Sequence, residues 1–224
     1  MPETTIDLGT APEQERLERL VSAFGALSAG GIQVFLSDSD PRALISPFIA
    51  SHWGQFDWAP LKEGGTEWIF QIRKREREGS GGLLDMLADE HSRCDELFAQ
   101  AESAAQDGDL PRTEEIFGRL ELGLERHFRM EEEGFFGEVE RGMGFMGGGP
   151  TAVMRDEHQQ MRGMLRRMAG TLADGNLDDY MATGETMLFL MEQHNMKEEQ
   201  MLYPMAEDVL GAGMEELLKR LTLF

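Results

Sequence analysis

The chain has 224 residues, of which 41% are hydrophobic, and its 42 acidic and 21 basic residues give a formal charge of −21. This length is enough for two domains, each with a buried core. Because so negative a protein repels phosphate backbones and anionic lipids, we expect neither nucleic acid nor a membrane surface as a partner, and a cation is the natural class of ligand.

The sequence favours a cytoplasmic protein. It has no apolar run long enough for a transmembrane helix. Its first residues, MPETTIDLGTAPEQE, lack the basic head and the apolar stretch of a signal peptide. Cys94 is the single cysteine, which excludes an internal disulfide and fits a reducing compartment.

Residues 1–78 predict a small α+β domain with the element order β-α-β-α-β-β. The predicted strands are TIDL (5–8) and GGIQVFLSD (30–38), followed by a hairpin of GQFDWAPL and TEWIFQIRK around Glu63-Gly64-Gly65. PEQERLERLVSAF (12–24) has the apolar spacing of a helix, and Pro41 suits the first turn of a second helix.

Residues 79–82, Gly-Ser-Gly-Gly, have the composition of a flexible linker. The following domain, 83–224, is predicted to be helical, and residues 79–224 hold 30 acids against 13 bases. Four long helices are expected at about 83–107, 111–141, 150–173 and 177–209, with a short fifth helix after Gly211-Ala212-Gly213. Their short connections predict an up-down-up-down four-helix bundle.

The helical domain contains an internal repeat. HFRMEEEGFFG (127–137) and HNMKEEQMLYP (194–204) both carry His-x-x-x-Glu-Glu, and each histidine lies 36 residues after an earlier one, His91 or His158. Each of those earlier histidines ends the tripeptide Asp-Glu-His. The bundle is therefore predicted to be two copies of one helical hairpin, offset by 67 residues.

The repeated residues are expected to face the core. A histidine and a glutamate four positions apart lie on one face of a helix, and all four histidines follow apolar stripes. A single histidine in such a place is usually a core residue with a hydrogen-bond partner. Two inward carboxylates, however, would each cost several kcal/mol unless a positive charge compensates them. The predicted metal ligands are His91, His127, Glu131, His158, His194 and Glu198.

This ligand set predicts a dinuclear site. Without a thiolate at matching spacing, a structural zinc–cysteine site is excluded, and six ligands exceed the needs of one tetrahedral zinc ion. Two metal ions, each held by two histidines and bridged by both glutamates, use all six. We predict two non-haem iron ions with an oxo or hydroxo bridge, with manganese or zinc as alternatives. An open position on each iron would admit a diatomic ligand.

With these motifs, residues 83–210 resemble the hemerythrin-like cation-binding domain, a di-iron four-helix bundle. The resemblance implies that the four histidines are terminal ligands and that Glu131 and Glu198 bridge the irons. Oxygen-carrying hemerythrins have a further histidine where this chain has Arg162, and an aspartate five residues after the last histidine, where this chain has Glu198 at four. Both departures are shared with the branch that includes the bacterial proteins for repair of iron centres, which argues against simple oxygen storage.

The N-terminal domain resembles the small SirA/TusA-like domains in the order of its elements. Those sulfur carriers have Cys-Pro after the first strand, whereas this chain has Ala11-Pro12, so sulfur transfer is not expected. Trp53, Trp58 and Trp68 are interpreted as packing residues, and His52 as an ordinary histidine. A regulatory role, or docking of a protein partner, is the expectation for this domain.

Three functions stay open from the sequence. The first is binding or sensing of O2 or NO at the di-iron site without turnover. The second is repair of iron centres, or enzymatic removal of NO or peroxide, although the cysteine pair of the repair proteins is missing. The third is a metal-stabilised structural bundle, which open metal positions disfavour. Cys94, three residues after His91, is either a core residue or a thiol near the metals.

Overall fold

The computed structural model describes residues 5–52, 55–65, 67–75, 82–144 and 148–223. The chain folds into two compact units, and the second begins at Gly82. Of the predicted linker 79–82, only Gly82 lies within the described residues. Its backbone N–H donates to Asp85 Oδ2 at 2.8 Å, which caps the first long helix.

The N-terminal unit is a four-stranded sheet with two helices, as the sequence predicted. Its elements are β1 (Ile6–Asp7), α1 (Glu13–Ala26), β2 (Ile32–Ser37), α2 (Arg42–His52), β3 (Phe56–Lys62) and β4 (Trp68–Lys74). The strand order is β1-β2-β4-β3, with β1 parallel to β2 and β4 antiparallel to both of its neighbours. The predicted β-α-β-α-β-β order and the terminal hairpin are therefore confirmed.

The core of this unit is apolar. Leu20 and Phe24 of α1 and Phe48 of α2 pack with the sheet residues Phe35 and Phe70. Phe35 and Phe70 also face each other across β2 and β4, with ring centroids 5.2 Å apart. His52 stacks on Phe48 at 4.4 Å, in keeping with an ordinary packing role. Trp58 is buried and Trp68 half-buried, while Trp53 lies outside the described residues.

The second unit is the predicted helical bundle. Its α-helices are α3 (Leu83–Gln106), α4 (Leu110–Arg129), α5 (Phe136–Met143), α6 (Pro150–Ala173), α7 (Leu177–Lys197), α8 (Tyr203–Leu210) and α9 (Gly213–Leu221). Asp109 and Asn176 cap the starts of α4 and α7 by accepting backbone N–H bonds at 3.1 Å. Gly108 and Gly175, with φ of +74° and +66°, adopt the left-handed conformation in the tight turns before these helices.

Two π-helical segments, Met130–Phe135 and Glu198–Leu202, interrupt what the sequence predicted as continuous α-helices. In each segment a glutamate carbonyl accepts from the residue five positions later: Glu131 from Phe136, and Glu198 from Tyr203. A π turn is wider than an α turn, so it redirects the side chains that follow it. Periodicity does not reveal such a turn, and both lie at the repeated glutamates.

Two apolar layers fill the bundle, and the four histidines of the repeat lie between them along the helices. The first layer includes Cys94, Leu124, Phe128, Met161 and Met191. The second layer, nearer the other end of the bundle, includes Leu87, Met130, Phe136, Met154 and Tyr203. Among the described residues, no helix is both long and apolar enough to cross a membrane.

Candidate metal centre

The four histidines of the repeat converge in the bundle core as two pairs. His91 and His127 place their Nε2 atoms 3.1 Å apart, and His158 and His194 do the same at 3.1 Å. All four side chains are at most 4% exposed. Each histidine comes from a different helix. The first pair joins α3 and α4, which pack on each other, and the second pair joins α6 and α7, which do the same. The sequence expectation that the imidazoles face one interior is met by this arrangement.

Glu131 and Glu198 each lie between the two histidine pairs. Glu131 Oε2 is 3.5 Å from His127 Nε2 and 3.3 Å from His158 Nε2. Glu198 Oε2 is 3.1 Å from His91 Nε2 and 3.3 Å from His194 Nε2. Both carboxylates are fully buried. A carboxylate with one histidine of each pair at this distance is suited to bridging two ions.

These residues fit a bound cation. His127, Glu131, His194 and Glu198 offer ligand atoms that all lie within 4.8 Å of one another. Glu131 Oε2 and Glu198 Oε1 are buried and have no hydrogen-bond partner among the described residues. A buried carboxylate oxygen without a partner is costly, and a metal ion supplies the missing interaction. Imidazole and carboxylate donors suit iron, manganese or zinc.

The second glutamate of each repeated motif reaches across to the other hairpin. His91 Nδ1 lies 2.8 Å from Glu199 Oε1, and His158 Nδ1 lies 2.8 Å from Glu132 Oε1, so each ring donates its N–H to a carboxylate. That bond holds the ring with Nε2 turned inward and makes it a stronger ligand. In each Glu-Glu pair, the first carboxylate therefore points inward, and the second orients a histidine of the other hairpin.

Arg162 stands one turn after His158 but turns away from the histidines. Its guanidinium donates to both oxygens of Glu125 at 2.7 and 3.0 Å and to Glu132 Oε1 at 2.8 Å. It also lies over the Phe128 ring at 5.1 Å. Arg162 therefore holds the carboxylate that orients His158, and it contributes no ligand atom itself.

The Tyr203 hydroxyl is a further polar group in the centre that the sequence argument did not single out. It donates to Glu131 Oε1 at 3.0 Å or to Glu198 Oε2 at 3.2 Å, and its ring stacks on His91. Burial, together with the negative charges of Glu131 and Glu198, raises the pKa of Tyr203 well above its usual value. The phenol therefore keeps its proton near neutral pH and serves as a donor.

The electrostatics of the metal-free centre favour positive charge. Burial lowers the pKa of His91 and of His158. The hydrogen bonds that both rings form with glutamates, and the negative charges of those glutamates, outweigh the effect of burial and raise both pKa values to about 9. Burial would raise the pKa of Glu198, yet His194 and His127 hold it well below its usual value. Protons on His91 and His158 therefore offset carboxylate charge when no metal is bound, and a cation can take the place of these protons.

A small cavity of about 10 Å³ adjoins the histidines. Space of this order accommodates roughly one water molecule. The lining residues are His91, Cys94, Leu124, His127, Phe128, Met161, Met191, His194 and Asn195, and the atoms that they expose to the cavity are mostly apolar. Burial raises the pKa of the Cys94 thiol to about 12, so it lies beside the histidines in its protonated, weakly nucleophilic form.

A family model described as the Hemerythrin HHE cation binding domain matches residues 82–219, which is more than half of the chain. The chain belongs to the hemerythrin HHE cation-binding family. A second model, described as an uncharacterized conserved protein (DUF2249), matches residues 5–74. The comparison with curated proteins found no match. The two matches confirm the prediction that a small N-terminal domain precedes a hemerythrin-like domain.

In this hemerythrin domain the structure brings together all six residues that the sequence proposed as ligands. What sequence reasoning missed is the surrounding layer of Glu132, Glu157, Glu199 and Tyr203. The repeat contains a signal for the glutamates, because Glu132 and Glu199 occupy equivalent positions. Tyr203 has no such signal, since its equivalent is Phe136.

Proposed function

We propose that this hemerythrin-family protein is a non-haem di-iron protein that binds or senses a diatomic ligand, O2 or NO. The observation that carries the proposal is the pair of buried carboxylates, Glu131 and Glu198. Each lies between two histidine pairs, and each has an oxygen without a hydrogen-bond partner among the described residues. Two iron ions bound there would supply open coordination positions and redox chemistry toward such a ligand.

The residues around the centre support a small and uncharged ligand. The cavity beside His91, His127 and His194 has apolar walls and space for little more than one small molecule. Because few polar atoms are accessible in the cavity, a small uncharged ligand loses less hydration on entering it than a strongly hydrated ligand does. The chain's own residues therefore hold the metals with imidazole and carboxylate, keep bulk water away, and leave space of diatomic size.

The first experiment determines the metal content of protein purified anaerobically from iron-replete cells. We expect two irons per chain in the wild type, and fewer in Glu131→Ala and Glu198→Ala, because each variant loses a bridging ligand. Glu121→Ala, at an exposed position of α4, is the matched control and should keep the wild-type content. One metal or none in the wild type contradicts the dinuclear site.

Stopped-flow spectroscopy of the reduced protein mixed with O2 or NO then separates binding from turnover. A stable spectral change with one ligand per centre supports a binding or sensing protein. Continued consumption of the ligand, with return of the oxidised spectrum, supports turnover, as expected for the alternative of an NO-removing enzyme. No reaction with either gas would contradict gas binding and NO removal, and would leave peroxide removal or iron repair as the alternative.

A further inference from the structure

The two π-helical segments of the bundle are equivalent in the internal repeat but differ on their outer sides. We call Met130–Phe135 the first π turn and Glu198–Leu202 the second π turn. Each carries one of the two buried carboxylates that are proposed to bridge the metal ions. The offset of 67 residues relates Gly134 of the first π turn to Met201 of the second. What lies against these two positions therefore shows how the chain supports its two carboxylates.

The first π turn is covered by α9. Leu217 and Leu221 of this helix are at most 3% exposed and belong to the same apolar layer as Met130 and Phe135. A Cβ atom added to Gly134 would lie 2.2 Å from Leu221 Cδ2, which is much closer than two carbon atoms approach without a bond. The Leu221 side chain therefore lies directly against the backbone of the first π turn.

This contact requires glycine at position 134. Glycine weakens a helical conformation relative to alanine, so a glycine within a helical segment usually has a local packing reason. Here any side chain would enter the space that Leu221 occupies, and Leu221 is fully buried, which leaves it little room to move aside. The sequence has thus given up helix propensity at this position, and in return α9 packs closely on the turn.

Polar contacts fix α9 to helices on both sides of the first π turn. Arg220 donates to Glu138 Oε1 of α5 at 2.8 Å. The Thr222 hydroxyl, directly after α9, donates to Met86 Sδ of α3 at 3.8 Å. The helix therefore connects α3 with α5, the helix that continues from the first π turn.

The second π turn lacks an equivalent cover. Met201 is 61% exposed, so the side of this turn that corresponds to Gly134 faces solvent. Glu131 and Glu198 are nevertheless both fully buried and occupy equivalent places between the histidine pairs. The two carboxylates are therefore alike on the inner side of their turns, and α9 makes the outer sides unlike.

The first π turn supplies two of the side chains that build the metal centre. Glu131 points inward from it, three residues before Gly134, and Glu132 accepts from His158 at 2.8 Å. Because both side chains follow the backbone of this short segment, a shift of the turn would displace a metal ligand and the carboxylate that orients another ligand. π-helical turns are rare and are found frequently at functional sites.

We propose that α9 holds the first π turn in the conformation that presents Glu131 to the metal ions, so that the rate of metal loss depends on the seating of Leu221 on Gly134. The inference rests on the proposed dinuclear site. Gly134 and Leu221 are positioning residues, since they act through the backbone of the turn and supply no ligand atom. Displacement of α9 is then a route by which the centre releases metal.

Hydrogen exchange of the metal-free, full-length wild type tests the packing without any variant. Phe136 and Tyr203 donate the equivalent backbone hydrogen bonds of the two π turns, to Glu131 and Glu198. After correction for intrinsic rates, the Phe136 amide should exchange more slowly than the Tyr203 amide by about tenfold or more, because a covered turn opens less often. Equal rates, or faster exchange at Phe136, overturn the inference.

Gly134→Met tests the link to the metal, since it gives the first π turn the residue of the second. Full-length protein is loaded anaerobically with Co²⁺, and transfer of the ion to excess EDTA is followed by its visible absorption. We expect loss about tenfold faster or more than in the wild type, as is typical when the support of a metal ligand is removed. Gly137→Met is the matched control, because a Cβ atom there meets no atom within 4 Å, and its rate should stay close to the wild type. An unchanged rate in folded Gly134→Met, or equal acceleration by both variants, overturns the inference.

The double variant Gly134→Met/Leu221→Ala separates positioning from general destabilisation. Leu221→Ala alone leaves a gap above the turn and should also accelerate the loss of Co²⁺. The double variant exchanges the large and the small partner of the contact, so its rate should return toward that of the wild type. If the two accelerations multiply instead, the contact does not position Glu131. A wild type that binds no Co²⁺ would contradict the proposed dinuclear site, while the exchange comparison still decides whether α9 holds the turn.

Discussion

The two units of the chain bury different kinds of side chain. Among the described residues of the N-terminal unit, Ser37 is the only buried polar side chain, and its hydroxyl donates to the Ser39 carbonyl at 2.9 Å. The described part of the bundle buries twelve polar or charged side chains: Glu90, His91, Thr113, Arg126, His127, Glu131, Glu140, Thr151, His158, Thr183, His194 and Glu198. Six of these twelve are the proposed metal ligands.

This difference separates two sources of stability. The N-terminal unit gains its stability from the burial of aromatic and aliphatic surface, which needs no ligand. The bundle has apolar layers as well, but between them it holds two carboxylates whose charge must be compensated, by protons on His91 and His158 or by a bound cation. The stability of the bundle is therefore expected to depend on metal, and that of the N-terminal unit is not.

Metal removal is expected to have the largest effect. At a metal concentration of roughly 1,000 times the dissociation constant, one bound ion stabilises the native state by about 4 kcal/mol. For a bundle of this size, the loss corresponds to a fall in Tm of about 10 °C or more. Chelator added to the reduced protein should therefore lower the melting temperature followed by far-ultraviolet circular dichroism.

Tryptophan fluorescence provides the internal control for this experiment. All three tryptophans, Trp53, Trp58 and Trp68, precede the bundle in the sequence. Their fluorescence therefore reports on the N-terminal unit, and its melting temperature should not change on chelation. An unchanged circular dichroism melt after demonstrated metal loss would show that the histidines and glutamates satisfy each other without metal.

Replacing Tyr203 by phenylalanine, the residue at the equivalent position 136, is expected to have the next largest effect. The variant removes a hydroxyl that donates to Glu131 and Glu198, and hydrogen bonds to charged groups contribute about 1.5–3 kcal/mol. The loss should appear in full in the metal-free protein, because metal ions would otherwise satisfy the carboxylates. Urea denaturation with and without metal measures it.

Tyr180→Phe is the matched control for this variant. Tyr180 belongs to the apolar layer that includes Cys94 and packs edge-on against Phe117 at 5.7 Å. Its substitution should change the free energy of unfolding by a similar amount with and without metal. If Tyr203→Phe behaves in the same way, the phenol does not stabilise the buried carboxylates, and the contrast between the two cores is weaker than proposed.

The sequence predicted the fold because its signals were local and mutually consistent. Asp109, Asn176 and the glycines before them mark helix boundaries through capping and left-handed turns, which depend on few neighbours. Apolar stripes and the repeat then determined which helix faces meet. The π segments escaped prediction, because a change of one residue in the hydrogen-bond ladder leaves the apolar pattern nearly intact.

The sequence could predict those parts of the metal centre that occur in both hairpins of the repeat. Equivalent positions identified the histidines and the inward glutamates, since both hairpins carry them. Whether Glu90 would orient His127, as Glu157 orients His194, depended on competition from Arg93 and Arg126, which is settled by side-chain packing between α3 and α4. Similarly, Arg162 could be expected to pair with an acid, but only the structure identifies Glu125 and Glu132 as its partners.

The smallest expected effect concerns the carboxylate of Glu138, which lies near the surface of the bundle. Glu138 accepts from Arg220 of α9 at 2.8 Å and pairs with Arg141 at 2.7 Å, and both arginines are more than half exposed. Slight burial raises its pKa, but the two arginines outweigh this and lower the pKa below the usual 4.5. Exposed ion pairs contribute only about 0.2–1 kcal/mol.

Since the pKa of Glu138 is lowered on folding, its contribution is fully present above the unfolded-state pKa and is lost as the pH falls through the folded-state pKa. Glu138→Gln should therefore reduce the free energy of unfolding by less than about 1 kcal/mol at pH 7. The difference from the wild type should shrink below about pH 4.5. Urea denaturation of the metal-free proteins, at pH 7 and below about pH 4.5, measures this difference. Glu215→Gln, at an exposed position, is the control. A loss at pH 7 as large as that caused by Tyr203→Phe would mean that total charge, rather than buried charge, distinguishes the bundle from the N-terminal unit.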